Sequence, residues 1–193
     1  MQFFRTTLLA VLAACSLSAT AESIYGIELG AQLKLPECRK YQLLGDVRYE
    51  VTTSAPCLHI SAAGAPSAIL FPFEDKPSHL KGNLAGVIAP GGVLQVLVLT
   101  TEGLKNQQTI LEDLVAKFGP PGAQQEQSLQ TGIGAQFKVI RAAWDRGDGM
   151  QIEFSGANDR IDEGLLIFGT KVGIQERTRR IGEMQRKFGG RPL

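Results

Sequence analysis

The chain has three cysteines, and the positions of two of them favour a disulfide over a reactive thiol. Cys38 and Cys57 would close a loop whose constraint stabilises a folded chain by about 3 kcal/mol in the chain-entropy model. A catalytic or metal-binding thiol needs a histidine or a further cysteine at ligand spacing, and the sequence does not supply that spacing. We therefore predict that Cys38 and Cys57 are bonded to each other in an oxidising compartment.

The two histidines, His59 and His79, are the next candidates for chemistry. His59 falls in a predicted strand and His79 in a predicted loop, and neither has a partner at the i, i+4 spacing of a helical zinc site. Asp159, Asp162 and Glu163 lack the spacing of a calcium loop and fit a turn instead. No phosphate-binding loop and no G-x-S-x-G motif occurs. We expect no catalytic residue, no metal site and no cofactor; the competing hypothesis is a hydrolase that uses His59 or His79.

The C-terminal tail is the one strongly charged part of the sequence. Residues 171–191 contain seven Lys or Arg residues and two Glu residues. Ile174, Ile181 and Met184 recur at near-helical spacing, which predicts a basic helix over residues 172–188, although Gly173 and Gly182 weaken it. Such a helix can contact anionic lipid or an acidic partner, or it can dock through a thin apolar stripe and leave its basic face in water. The candidate contact residues are Arg177, Arg179, Arg180, Arg186 and Lys187.

Residues 1–21 have the pattern of a secretory signal peptide. Arg5 precedes an apolar run at residues 8–14, and Ala19 and Ala21 form the small-x-small site that signal peptidase requires. A second interpretation fits the same segment, because residues 12–15 (LAAC) resemble the lipobox at which bacterial lipoproteins are acylated on cysteine. In the first interpretation Cys15 is a small apolar residue of the signal core and Glu22 begins the mature chain; in the second, Cys15 carries lipid.

Residues 22–193 are balanced in charge. Once Arg5 is removed, basic and acidic residues are equal in number, and 44% of the full sequence is apolar. A chain of this size can bury one core, and beyond residues 8–14 it has no other long apolar run. Electrical neutrality argues against nucleic acid as a partner, because nucleic-acid binding needs a clustered excess of Lys and Arg. We expect a single domain over residues 22–193.

Residues 93–121 predict the strand and helix around which the fold is organised. Residues 93–99 (VLQVLVL) are almost wholly apolar, which is typical of a strand buried on both faces in the middle of a sheet. Apolar residues at helical spacing then predict an amphipathic helix at about residues 104–118, which Gly119 and the two following prolines end. This helix should cover one face of the strand.

The other segments predict short strands and loops. Further strands are expected at residues 24–30, at 47–51 with a return strand at 57–60, at 68–73 and at 165–168. Alternating residues from Phe137 to Phe154 predict a hairpin. Residues 122–134 are polar and contain glycine, which predicts a mobile surface loop. Together these segments predict an α+β domain, with a mainly antiparallel sheet, one long helix on a face and a basic C-terminal helix.

Several segments resemble known protein families. Residues 26–30 (GIELG), the helix end at 117–121 (KFGPP), Trp144 and residues 152–154 (IEF) are together similar to a family of small exported proteobacterial proteins. At the level of fold they also resemble the modules of β-lactamase inhibitor protein and of the small lipoprotein of the outer-membrane β-barrel assembly machine. Those proteins bind other proteins and have no active site. The long N-terminal strand region and single helical module depart from them, so the resemblance implies a fold rather than a function.

These observations together favour an exported, non-enzymatic periplasmic protein. It should bind an unidentified protein or envelope component through its sheet or its basic tail, and peripheral membrane contact is compatible with that tail. A protein of another class fits the same absence of catalytic motifs, namely a periplasmic immunity protein or an inhibitor that occludes a toxin or hydrolase. Acylation at Cys15 would instead make the chain an outer-membrane lipoprotein facing the periplasm.

Mass spectrometry of the mature N-terminus distinguishes the two processing routes. We expect the mature chain to begin at Glu22 and to be released by osmotic shock, because a lipid tether has no need of the small-x-small site at Ala19 and Ala21. An acylated Cys15 at the N-terminus, in protein that stays with the membrane fraction, would contradict this prediction.

Overall fold

A computed structural model describes residues 23–43, 46–50, 52–130 and 134–187, and it has the α+β fold that the sequence predicts. The predicted signal peptide, with Cys15, and residues 188–193 lie outside the described residues. The fold is an eight-strand antiparallel sheet with one helix on each face.

Two small hairpins precede the main sheet. They are β1 (Ser23–Ile24) with β2 (Ile27–Glu28), and β3 (Lys40–Leu43) with β4 (Asp46–Tyr49). The prediction of one strand over residues 24–30 is wrong, because Tyr25 (φ 54°) and Gly26 (φ 78°) both adopt left-handed backbone conformations and turn the chain. That conformation is unfavourable for tyrosine. The Tyr25 ring packs edge-on against Phe168, with 6.1 Å between ring centroids, and this contact offsets the strain.

Eight further strands form the main sheet, and all of their pairings are antiparallel. In chain order they are β5 (Cys57–Ile60), β6 (Pro66–Leu70), β7 (Leu84–Ile88), β8 (Val96–Thr101), β9 (Ala123–Gln130), β10 (Gln136–Asp145), β11 (Met150–Ser155) and β12 (Gly164–Thr170). Their order across the sheet is β5-β6-β7-β8-β12-β11-β10-β9. The apolar strand β8 therefore lies mid-sheet, as the sequence predicts.

One loop prediction and one strand-pairing prediction are wrong, and one predicted hairpin is confirmed. The predicted loop at residues 122–134 contains β9, the outermost strand, which pairs with β10 along its whole length. The predicted strands at 47–51 and 57–60 do not pair with each other, because β4 pairs with β3 while β5 pairs with β6. The hairpin predicted from Phe137 to Phe154 is confirmed as β10 and β11.

Two helices follow the spacing of their apolar residues. A 3₁₀ turn (Gly103–Asn106) leads into α1 (Gln107–Phe118), and together they occupy the predicted residues 104–118. Gly119 ends α1 with φ 79°. The basic helix is α2 (Lys171–Lys187), and Thr170 caps it, since its Oγ1 accepts a hydrogen bond from the Gly173 N–H at 3.0 Å.

The helix α1 covers one face of the sheet, here called the α1 face, and forms the main core there. Ile110, Leu111 and Leu114 are its buried residues. The row of side chains that crosses this face on successive strands, all of them buried, is Leu97, Phe168, Ile152 and Trp144. The Trp144 Nε1–H donates a hydrogen bond to the Gly119 carbonyl at 2.8 Å, which fixes the end of α1 to β10.

The helix α2 covers part of the opposite face, here called the α2 face. Ile174 packs there against Val96 and Ile167, and α2 contacts β8, β12 and β11. Gly173 is required for this close approach, because a Cβ atom at that position would lie 2.4 Å from the Gln95 carbonyl oxygen. The glycine that weakens the helix in the sequence is therefore the residue that lets the helix reach the sheet.

The predicted disulfide is confirmed and lies at the β5 edge of the sheet. Cys38 and Cys57 are bonded, with their Cα atoms 4.9 Å apart. The segment before Cys38 runs along the outer side of β5: the Cys38 N–H donates to the Leu58 carbonyl at 2.9 Å, and the Leu58 N–H donates to the Pro36 carbonyl at 2.7 Å. Residues 36–38 therefore cover this edge. Disulfides persist in oxidising compartments, which is where such a bond places the protein.

We expect Cys57→Ser to lower the free energy of unfolding by about 2 to 5 kcal/mol, because loss of the bond frees the unfolded chain. Urea unfolding followed by the fluorescence of Trp144, the single tryptophan, measures this loss. Reductant should destabilise the wild type by a similar amount and leave the stability of Cys57→Ser unchanged. This result would show that the effect comes from loss of the disulfide bond and not from replacement of a sulfur atom by oxygen. Quantitative thiol labelling of the folded, unreduced protein would contradict the prediction.

Candidate functional site

The α2 face is only partly covered, and a groove of about 540 Å³ lies where the cover ends. Strands β9 to β12 form its floor, α2 forms one wall and the loop that carries Asn158 forms the other. Along one row of the α2 face the side chains change from Val98 and Ile167 to Glu153 and Ala143. The apolar half of the row lies beside α2, and the other half stays accessible from solvent.

Two arginines make the groove cationic. Arg177 of α2 lies at the wall, with its Nη1 3.5 Å from Oε2 of Glu153 on the floor. Arg141 of β10 is exposed, and no ion pair joins it to any residue within the described ranges. One carboxylate and two guanidinium groups thus line the groove. Guanidinium groups offer several N–H donors to a carboxylate or phosphate, so the groove suits an anionic group on its ligand.

The floor also offers apolar surface beside these charges. Leu165 and Ala143 are half-buried there, and Ser155 contributes a hydroxyl group. A concave surface with an apolar floor and a few placed charges is typical of binding sites. The arrangement can therefore hold a ligand that presents both an apolar group and an anionic group.

Two of the arginines predicted to form the basic face of α2 pair with glutamates of the same helix. Arg179 pairs with Glu176 and Glu183, and Arg180 pairs with Glu176. Hydrogen bonds from Arg179 and Arg180 lower the pKa of Glu176 to about 2, so this carboxylate stays charged at physiological pH. Because the helix pairs these cations internally, it offers less free charge to a membrane than the sequence suggests.

The remaining predicted contact residues separate in the structure. Arg186 donates to a carbonyl of its own helix at 3.3 Å, and Lys187 ends the described part of α2. Arg177 alone of the predicted set lines the groove. Sequence reasoning missed Arg141 and Glu153, because each reads as an ordinary polar residue of a strand. Only the pairing of β10, β11 and β12 places them in one groove with Arg177.

His79 lies in a second, smaller pocket of about 220 Å³, which Ser78 and Thr109 also line. Its Nε2 is 3.5 Å from Oδ2 of Asp113 on α1. Burial lowers the pKa of His79 below its ordinary value of 6.5, and the Asp113 carboxylate partly offsets this shift. A carboxylate-oriented imidazole can act as a base. Among the described residues, however, no hydrogen bond links a hydroxyl group to this imidazole.

The other polar candidates stabilise turns and strand ends. His59 lies in β5, with its Nδ1 3.5 Å from Oγ of Ser67. Asp162 and Glu163 pair with Lys81 at 3.1 Å and 3.3 Å. Within the part of the chain that the structure describes, no three His, Cys, Asp or Glu side chains gather to hold a metal ion. No helix of that part combines the length and apolarity needed to cross a membrane.

Comparison with known proteins gives no indication of function. No protein-family model, no curated protein and no solved structure matches this chain. The resemblances to small exported proteobacterial proteins, to β-lactamase inhibitor protein and to the small assembly-machine lipoprotein therefore stay predictions. Function has to be argued from the residues of the site.

We expect the imidazole pKa of His79 to lie below 6.5 and to fall further in Asp113→Asn, because burial opposes the charged form while the carboxylate favours it. Between the folded pKa and 6.5 the unfolded chain binds more protons, so the free energy of unfolding should fall as the pH is lowered through this range. NMR titration measures the pKa. His59→Gln identifies the His79 signals, because the chain has two histidines. A His79 pKa above 6.5, or a rise in Asp113→Asn, would show that this account of the pocket is wrong.

Proposed function

We propose that the protein acts in the periplasm as a non-enzymatic binding protein that holds an acidic segment of another protein in the groove on the α2 face. The observation that carries this proposal is the exposed side chain of Arg141, which lines the same groove as Arg177. Two guanidinium groups beside apolar surface favour a ligand with carboxylates and apolar side chains in one segment.

A protein segment fits this groove better than a small anion or a lipid surface. The floor crosses four strands, a width of about 14 Å at the usual strand spacing, which one small anion does not fill. A segment lying across the floor can place a carboxylate on Arg141 and an apolar side chain on Leu165. A membrane surface instead meets outward-facing cations, and on α2 Arg179 and Arg180 are already paired with glutamate.

The periplasmic location rests on two features of the N-terminal part of the chain. Residues 1–21 have the pattern of a signal peptide, and the Cys38–Cys57 bond fits an oxidising compartment. Acylation of Cys15 would change where the protein is held and leave the groove as it is. An immunity protein or inhibitor is a special case of the proposal, in which the acidic segment belongs to a toxin or hydrolase whose activity the complex blocks.

We expect Arg141→Glu to reduce retention of the partner from envelope extract by tenfold or more, about 1.4 kcal/mol, because the substitution reverses the charge that meets the carboxylates. Immobilised mature protein, extract and quantitative mass spectrometry of the eluted proteins measure retention. The partner segment found by cross-linking should be rich in Asp and Glu, and binding should weaken as salt is added.

Lys105→Glu is the matched control. Lys105 is an exposed cation in the 3₁₀ turn before α1, outside the groove, so its reversal makes the same change in net charge. If retention falls equally in the two variants, the effect comes from net charge alone, and the proposal is contradicted. The proposal is also contradicted if Arg141→Glu retains the partner as well as the wild type does.

A further inference from the structure

The strand β9 is an open edge of the main sheet. Seven of its eight residues are exposed, and it pairs on its inner side with β10. The opposite edge, β5, is covered by residues 36–38, which the Cys38–Cys57 bond holds in place. Among the described residues the main sheet therefore has one long edge whose backbone groups can still bond to another strand.

The hydrogen bonds of β10 show which backbone groups of β9 face outward. The Gly156 N–H donates to the Ile140 carbonyl at 2.8 Å, so Ile140 and the other even-numbered residues of β10 bond toward β11. Odd-numbered residues of β10 then bond to β9, and the register places odd-numbered residues of β9 opposite them. The outward N–H and C=O groups consequently belong to Gln124, Glu126, Ser128 and Gln130.

Nothing in the composition of β9 opposes pairing with another strand. Edge strands that remain single usually carry lysine, proline or a bulge. Residues 123–130 (AQQEQSLQ) contain neither lysine nor proline, and their pairing with β10 is regular. The one charged residue, Glu126, has its carboxylate 3.2 Å from the Lys138 Nζ on the neighbouring strand.

We propose that β9 pairs antiparallel with β9 of a second copy of this chain, about a two-fold axis, so that two eight-strand sheets become one continuous sheet. Because β9 is the one open edge of the main sheet within the described part of the chain, two copies can join only β9 to β9, and such a pair closes instead of growing into a fibre. Glutamine suits a contact with its own copy, since its amide both donates and accepts hydrogen bonds. The proposal does not depend on what the groove binds.

The outward backbone groups select the register of this pair. Both members of a hydrogen-bonded pair must be even-numbered, so the two-fold axis can pass through Glu126, Gln127 or Ser128. With Glu126 on the axis, it lies opposite Glu126 of the second copy, and like charges directly opposite each other are destabilising. With Ser128 on the axis, Gln124 has no partner within β9 of the second copy. With Gln127 on the axis, Glu126 lies opposite Ser128 and Gln124 lies opposite Gln130, so all four outward residues pair and the repulsion is avoided.

This dimer would present both grooves on one face of the joined sheet. A two-fold axis perpendicular to the joined sheet keeps the α2 faces of both copies on the same side. Each groove reaches its own β9 at residues 123–125, so in this register the two grooves would open on the same side of the joined sheet, about 20 Å apart along the strands. A ligand with two acidic segments could then engage both copies at once.

Cysteine cross-linking of the purified protein tests the register. In Gln127→Cys the two introduced thiols would belong to a non-hydrogen-bonded pair with Cα atoms about 4.5 Å apart, within disulfide reach. Mild oxidation should give a covalent dimer on non-reducing gels. Gln125→Cys is the matched control on the same strand face. Its two copies would lie about 13 Å apart along the strands, and it should stay monomeric.

Ser128→Pro tests the pairing without a new thiol. Proline at this position removes an outward N–H group and leaves the hydrogen bonds to β10 in place, which edge strands tolerate. Sedimentation equilibrium should show a dimer for the wild type and for Ser128→Thr, and a monomer for Ser128→Pro. Circular dichroism should show the same folded signal for all three proteins.

Three outcomes would overturn the proposal. A wild-type protein that stays monomeric up to its solubility limit would show that β9 does not pair with its own copy. Equal cross-linking of Gln125→Cys and Gln127→Cys would show that the thiols meet by random collision and not in a fixed register. Cross-linking of Glu126→Cys in place of Gln127→Cys would show that the register is wrong. If Ser128→Pro fails to fold, the two glutamine variants still decide the question.

Discussion

The pairing of β8 with β12 is the interaction on which the rest of the structure depends. Strands β5 to β7 lie on one side of this pair and β9 to β11 on the other, so it joins the two halves of the sheet. Both strands are buried on both faces, with Leu97 and Phe168 on the α1 face and Val96 and Ile167 on the α2 face. Burial of each such side chain contributes about 1.5 to 3 kcal/mol, so this pair concentrates the favourable free energy of folding.

A pair of strands that is apolar on both faces needs cover on both, and the two helices supply it unequally. The α1 face is filled by α1 and by the N-terminal hairpin, whose Ile24 and Ile27 join the main core. On the α2 face, Gly173 lets α2 approach β8 and β12, and the helix does not extend across the outer strands. The groove with Arg141 exists because the cover on this face is narrower than the sheet.

The two edges of the sheet differ in the same way. At one edge the Cys38–Cys57 bond holds residues 36–38 against β5, and their backbone groups pair with Leu58. At the other edge β9 pairs on one side only. A groove and an open edge thus lie together at one end of the sheet, while the opposite end is closed by a covalent bond.

The sequence by itself determined the elements whose pattern reflects burial or a covalent constraint. The apolar run at residues 93–99 indicated a central strand, the spacing before Gly119 indicated α1, and the alternation around Trp144 indicated the hairpin of β10 and β11. Tertiary structure alone decided β9, because a strand exposed on both faces has no periodicity and takes its conformation from its hydrogen bonds to β10. It also decided the groove: Arg141 and Arg177 are remote in the chain, and they line one groove because β10 lies two strands from β12, from which α2 begins. Local sequence patterns indicate which side chains are buried, but they do not indicate which distant strands become neighbours in the sheet.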